Sequence, residues 1–423
     1  MFYLTLISVL LIGFGDLRNF LTPVGYWLVW ALWAISVLFY FFLSGKFQIF
    51  EEAKRMPRLV CIVFGFLVFG MVVSAVTVPQ YSAFYQSIKI SVIFIFFFVF
   101  YLLVREVGVD FIVRAVCWVL IGLSFFFLLS KYYGVPFWVR LGDGREGVFI
   151  SYPGAMWKMA VFFLPLLIAN TYLRPENSIR NGFCIGLSIY LLVLDGSRTG
   201  FLSFVVIVFI FILLALFVSS FRKLVFRIGW IGSVFSAFFL FFVFDRFLSS
   251  RFNIAEINSL TELSQKKSAF VKVEPLAVSR LSAGDSDRIS LLKHGLDHAL
   301  DCLPFGCGFE TTASLSHGIV MSVHNAYLAA FGDFGVLGLI GMLGFFVVSS
   351  WPFFKVFKPK YSRAGLCGQS YSIDQKLYVL AATLGALFFC GGWLLHTFSS
   401  EMSEWGFFLI LLAISWSMIR KEH

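Results

Sequence analysis

The chain has 423 residues, of which 60% are hydrophobic, 19% aromatic and only 13% charged, with a mean hydropathy of +0.90. Soluble domains average roughly 45–50% apolar and about 25% charged residues, so a water-facing globule is excluded and much of the side-chain surface must lie in lipid. The formal charge of +10 arises from 33 Lys and Arg against 23 Asp and Glu, but these basic residues are scattered through short gaps between apolar runs, a distribution that orients a membrane protein rather than one that grips nucleic acid.

In chain order, apolar runs bounded by charges, proline or glycine fall at 1–15, 20–44, 59–78, 84–104, 111–130, 153–172, 182–195, 199–219, 228–247, 323–354, 377–398 and 404–419. At about 20 residues per span these make roughly twelve crossings. The first run has no basic segment ahead of it and no small-residue cleavage site behind it, and reads as a retained span. The gaps at 45–58, 105–110, 173–180, 220–227 and 355–376, with the tail from 420, hold about 17 Lys and Arg, and the short gaps on the opposite side about five, which puts both termini in the cytoplasm. The expected fold class is all-α, a polytopic bundle of about 12 transmembrane helices. Spans one to nine occupy 1–247, a large outer loop containing short helices occupies 248–322, and spans ten to twelve occupy 323–423. Within the loop, Ile289, Leu292, Leu296 and Leu300 recur at helical spacing, the pattern of an amphipathic helix that lies on the membrane surface or caps a cavity.

Ionisable groups close to membrane depth are expensive and mark candidate sites. Asp195-Gly196-Ser197-Arg198-Thr199-Gly200 is a polar break between two apolar runs with almost no loop. Arg198 there suits phosphate oxygens, because a guanidinium presents a planar fork of donors; a pair with Asp195 that closes the turn is the alternative. Arg288, in Gly284-Asp285-Ser286-Asp287-Arg288, heads the amphipathic loop helix and is either an anion ligand or a solvated residue paired with Asp285 or Asp287. Pro304-Phe305-Gly306-Cys307-Gly308 follows as a turn without the Lys and Ser/Thr of a phosphate loop. His324, in Ser322-Val323-His324-Asn325, enters the tenth span, where a neutral imidazole can take a proton from a hydroxyl or serve as a hydrogen-bonded cap. Gly332, Gly335, Gly338 and Gly341 then repeat at close helical spacing, as in tight helix packing. His294, His298 and Asp301 share one helix face but lack a general-base Glu and a fourth ligand, so they read as a solvated face and no metal site is assigned.

The order of these features resembles that of the O-antigen ligases and O-antigen polymerases, multispanning bacterial enzymes that draw glycan from an undecaprenyl-diphosphate carrier. It is carried by Ser197-Arg198 opening a span, Arg288 in the outer loop, the Pro304-x-Gly306-x-Gly308 turn, His324-Asn325 entering the next span, and Gly335 and Gly338 beyond it. The resemblance implies an inverting glycosyltransferase of the bacterial inner membrane that works on the periplasmic face with neither metal nor other cofactor. It implies that Arg198 and Arg288 hold the diphosphate and stabilise the leaving group, that His324 activates the acceptor hydroxyl, and that Ser197, Asn325 and Arg145 (in Gly142-Asp143-Gly144-Arg145-Glu146) contribute to binding, although Glu146 is an alternative partner for Arg145. The implied partners are the lipid-linked glycan, an acceptor that is lipid A-core for a ligase or a growing glycan for a polymerase, and membrane lipids. In a periplasm, Cys302 and Cys307 face an oxidising compartment, and a disulfide across the turn is one expected state. A transporter or flippase is the competing class. It calls for charge at mid-membrane depth and for related halves, whereas the runs are nearly bare except for Lys89, Arg114, Lys158 and Asp333 near their ends.

Overall fold

The computed structural model describes residues 1–44, 56–78, 81–133, 137–141, 145–151, 154–217, 228–251, 286–316, 319–357, 371–396 and 398–419; the side chains of 19, 214–217, 228–230, 246, 248–251, 286–290, 313–316 and 319–322 are outside the description. In chain order the elements are α1 (Phe2–Gly13), α2 (Arg18–Leu43), α3 (Arg58–Thr77), α4 (Tyr81–Val107), α5 (Val109–Tyr132), β1 (Trp138–Arg140), β2 (Glu146–Val148), α6 (Met156–Phe162), α7 (Leu164–Leu173), α8 (Ser178–Asp195), α9 (Arg198–Phe217), α10 (Ile228–Arg251), α11 (Ser286–Asp301), β3 (Ala313–Ser316), β4 (Ile319–Ser322), α12 (Ala326–Phe357), α13 (Ile373–Gly392) and α14 (Met402–Ser417). Among the described residues eight helical segments are long and apolar enough to cross a membrane, and four shorter apolar helices accompany them. Together they fall on the twelve apolar runs of the sequence, and the chain is a polytopic helical membrane protein.

Some runs differ in detail. The run at 153–172 is broken between α6 and α7, where Pro165 sits in the first turn of the second helix and cannot donate back into the first. The run at 377–398 stops being helical after Gly392. Two small antiparallel hairpins, β1/β2 and β3/β4, were not foreseen.

The chain divides into two compact units, one of residues 32–109 and 284–423 with Met1, the other of residues 2–31 and 110–283. In the first, α3 crosses α12 with almost no side chain between the backbones. A Cβ on Gly70 would lie 2.7 Å from the Gly338 nitrogen, and one on Gly341 2.6 Å from the Leu67 nitrogen. The glycine spacing read as close packing does this work, since helices in lipid associate through close approach and van der Waals contact. Beside this crossing Phe345, Phe389, Trp393, Trp405 and Phe408 interlock, with ring centroids 4.9 to 6.1 Å apart. Lys89 of α4 pairs with Glu401 at the start of α14. Helix α13 begins with a reciprocal cap, the Ser372 hydroxyl accepting from the Gln375 N–H and the Gln375 side chain from the Ser372 N–H.

In the second unit, α8 is the central helix, packed on α6, α7 and α10. Tyr190 of α8 meets Phe127 of α5 and Phe241 of α10, at 6.3 and 5.6 Å between ring centroids. Lys131 at the end of α5 lies 2.9 Å from Glu146 of β2 and 3.1 Å from Asp245 of α10, and the Tyr132 hydroxyl also donates to Asp245. This ionic cluster ties the β1/β2 hairpin down on the helix ends.

Candidate functional site

The polar break after α8 is a two-residue corner. Gly196 caps α8 in the left-handed region, at φ 61°, where a Cβ is penalised and glycine is not. Ser197 then caps α9, its hydroxyl oxygen accepting the Gly200 N–H at 3.2 Å, which makes Arg198 the first residue of a helix that runs straight into the apolar layer. Gly200 presses this first turn against α6, since a Cβ there would stand 2.9 Å from Trp157.

Asp195 is fully buried, and its Oδ2 accepts the N–H groups of Gly154 and Trp157 at 2.9 and 3.2 Å. It therefore joins the end of α8 to the turn that opens α6. Arg145 stands over that turn, its Nη1 3.4 Å from where a Gly154 Cβ would be, and Arg145 and the buried Lys158 of α6 both act electrostatically on Asp195. Glu146, the neighbour considered as a partner for Arg145, is engaged by Lys131. The structure thus brings Arg145, Ser197 and Arg198 to one end of the second unit, with Lys158 and Asp195 beside them. Cations around a single carboxylate suit a ligand with more than one negative charge.

In the first unit His324 is part-exposed and held from both sides. The Val323 N–H before it donates to the Thr312 carbonyl at 3.2 Å, and the Ala326 N–H after it to the Trp393 carbonyl at 2.8 Å. Asn325 caps α12, its Oδ1 accepting from the Tyr327 and Leu328 N–H groups at 3.1 and 3.0 Å. Ser197 and Asn325 are thus both capping residues. Arg288 lies in the first turn of α11; its side chain, with Arg280 and Asp285, lies outside the described residues. The helix that carries it packs beside His324: a Cβ on Gly295, two turns beyond Arg288 in the same register, would lie 3.2 Å from Val323 Cγ2.

The residue that fixes this arrangement is Asp333, which the sequence marked only as a charge near a span end. Its carboxylate accepts the Glu310 and Thr312 N–H groups, each at 2.9 Å, and the Thr312 hydroxyl at 2.7 Å, while its carbonyl accepts the Gly308 N–H at 3.0 Å and the Ser74 hydroxyl at 2.6 Å. The turn after α11 is thereby fastened to α12 where Gly335, at φ 69°, breaks the helix. Gly306 and Gly335 approach so closely that a Cβ on Gly306 would lie 2.6 Å from the Gly335 nitrogen. A disulfide joins Cys302 to Cys307 within this turn. His298 Nε2 lies 3.5 Å from Cys302 Sγ, and among the described residues these three form the one group whose donor atoms cluster closely enough for a metal ion, with both thiols taken by the disulfide.

Residues 183–343 match the family model for O-antigen ligase, a stretch from the first turns of α8 to the middle of α12 that contains the Ser197-Arg198 corner, Arg288, the glycine turn and His324. Comparisons with curated proteins and with solved structures give no match. Over this segment, less than half of its length, the chain is similar to the O-antigen ligase family.

Proposed function

We propose that this protein is a ligase, moving glycan from an undecaprenyl-diphosphate carrier to a hydroxyl of lipid A-core on the periplasmic face of the bacterial inner membrane, with inversion and without a metal. The observation that carries this is the ligase-family segment itself, which encloses both the arginine corner and the clamped histidine. His324 takes the proton of the acceptor hydroxyl as its oxygen bonds to the anomeric carbon. The bond from that carbon to the diphosphate oxygen breaks, and the electron pair leaves with the diphosphate. Arg198 and Arg288 meet the charge that develops there, and Arg145 adds a third cation. Electrostatic stabilisation of this kind is commonly the largest single contribution to catalysis.

The test is reconstitution with undecaprenyl-diphosphate glycan, in one arm with lipid A-core and in the other with donor alone. Labelled lipid A-core in the first arm is the expected product. Chain extension confined to the second arm would make the protein a polymerase, and no transfer by folded protein in either arm would overturn the enzymatic assignment. Replacing His324 by Ala is expected to reduce turnover about 10²- to 10⁴-fold, the usual worth of a general base. Arg198→Ala and Arg288→Ala should each lose about 10²- to 10³-fold, with membrane insertion unchanged. Chelator should leave the rate unaltered.

A further inference from the structure

Helix α11 presents three faces, although its sequence suggested two. Leu291, Gly295 and Ala299 are buried, Gly295 against Val323 and Leu328 and Ala299 against Gly332 of α12. Lys293, His294, Asp297 and Asp301 are exposed and polar. Between these lie Leu292, Leu296 and Leu300, one helical turn apart and 37, 47 and 52% exposed, and the row continues into Leu303 and Phe305, at 39 and 51%. The leucines that the sequence marked as an apolar face are therefore not the ones that pack on the protein.

The level of this row is fixed by one hydrogen bond. The Val336 N–H donates to the Pro304 carbonyl at 3.1 Å, which sets the turn carrying Leu303 and Phe305 beside Val336. From Val336 onward α12 exposes Val336, Ile340, Leu343 and Val347, a stripe at helical spacing on a membrane-spanning helix and hence a face turned to hydrocarbon. The turn that ends α11 thus meets the beginning of that stripe.

We propose that α11 is an interfacial helix whose row of Leu292, Leu296, Leu300, Leu303 and Phe305 is seated in the outer boundary of the bilayer, its occupant being lipid and not a protein partner. A helix with one apolar face and a charged one lies in the interface plane with the apolar side sunk into the headgroup and acyl boundary. Charged residues directly beside the leucine row fit such a boundary and do not fit a protein core. Bilayer seating also anchors the helix that carries Arg288 at the depth where lipid phosphates lie. The inference stands on membrane insertion alone and is independent of the transfer chemistry.

The full chain, in vesicles of phosphatidylethanolamine and phosphatidylglycerol, would carry a nitroxide in turn at Leu292→Cys, Leu296→Cys, Leu300→Cys, Lys293→Cys and Asp297→Cys, with Cys61, Cys117, Cys184, Cys367 and Cys390 replaced by Ala. Collision with oxygen and with a water-soluble nickel chelate is then measured. Labels at 292, 296 and 300 are expected to favour oxygen over nickel several-fold more than labels at 293 and 297. Equal access of nickel to both sets would place the row in water, and shielding of 292, 296 and 300 from both reagents would place it under protein; either overturns the proposal. Where a leucine variant fails to insert, the label moves to Phe305→Cys, for which the same contrast is expected.

Discussion

At the scale of single residues, the carboxylates explain more than the arginines do. Asp195 was weighed in the sequence only as a partner for Arg198, yet its Oδ2 serves the Gly154 and Trp157 N–H groups and so couples the corner before Arg198 to the turn beneath Arg145. Replacing Asp195 by Ala removes the acceptor from two enclosed donors, each costing about 1–3 kcal/mol when left unsatisfied. The midpoint of thermal unfolding in detergent should fall by several degrees, and Asp195→Asn, which keeps an acceptor oxygen, should recover part of the loss. Equal midpoints for the Ala variant and the parent would show that these hydrogen bonds do not organise the site. Neither Asp195 nor Asp333 could be ranked from sequence, because a carboxylate inside an apolar run reads the same whether it meets substrate, a cation or the backbone donors of a loop distant in the chain.

At the scale of elements, the glycines of α12 divide into those that allow helix contact and the one that allows a break. Gly341 belongs to the first kind, with the Leu67 backbone nitrogen where its Cβ would stand. Gly341→Val should therefore force α3 away from α12, and the measurable outcome is a lower yield of monodisperse protein and a lower unfolding midpoint. Gly65, on α3 itself, has nothing within 4 Å of its would-be Cβ. Gly65→Ala should be neutral or stabilising by up to about 1 kcal/mol through helix propensity, which makes it the matched control. The Cys302–Cys307 disulfide closes a loop with a sequence separation of 5, for which chain entropy accounts for about 2 kcal/mol. Alkylation of the denatured, unreduced protein should modify five of the seven cysteines and spare these two. Seven modified cysteines would show the pair to be reduced.

At the scale of the whole molecule, the membrane-spanning part was largely legible in the sequence, because hydropathy acts over some twenty residues and needs no tertiary information. The twelve runs and the twelve apolar helices found among the described residues coincide, with local departures such as those where Pro165 splits one run and Gly392 ends another early. What sequence left hidden depends on contacts distant in the chain: Lys131 with Glu146 and Asp245, Asp333 with Thr312, and the inward face of α11, where small residues and not the leucines make the contact. The orientation expected from the basic loops, with both termini in the cytoplasm, predicts that a fluorescent protein fused after His423 will glow, while a periplasm-dependent phosphatase inserted between 260 and 280 will be active. The reverse pattern would invert the proposed face of reaction.

The two-residue link between α8 and α9 has a consequence for the entropy of binding. Most cationic side chains that meet an anion are carried on backbone that must itself be stilled. Arg198 is mounted on a corner without slack, its helix capped at one side by Ser197 and the preceding helix stopped at the other by Gly196. Folding has already ordered that backbone, so on meeting a ligand only the side-chain torsions remain to be frozen. The Arg198 Cα is thus a fixed post, and its position relative to α8 changes only if an entire helix moves.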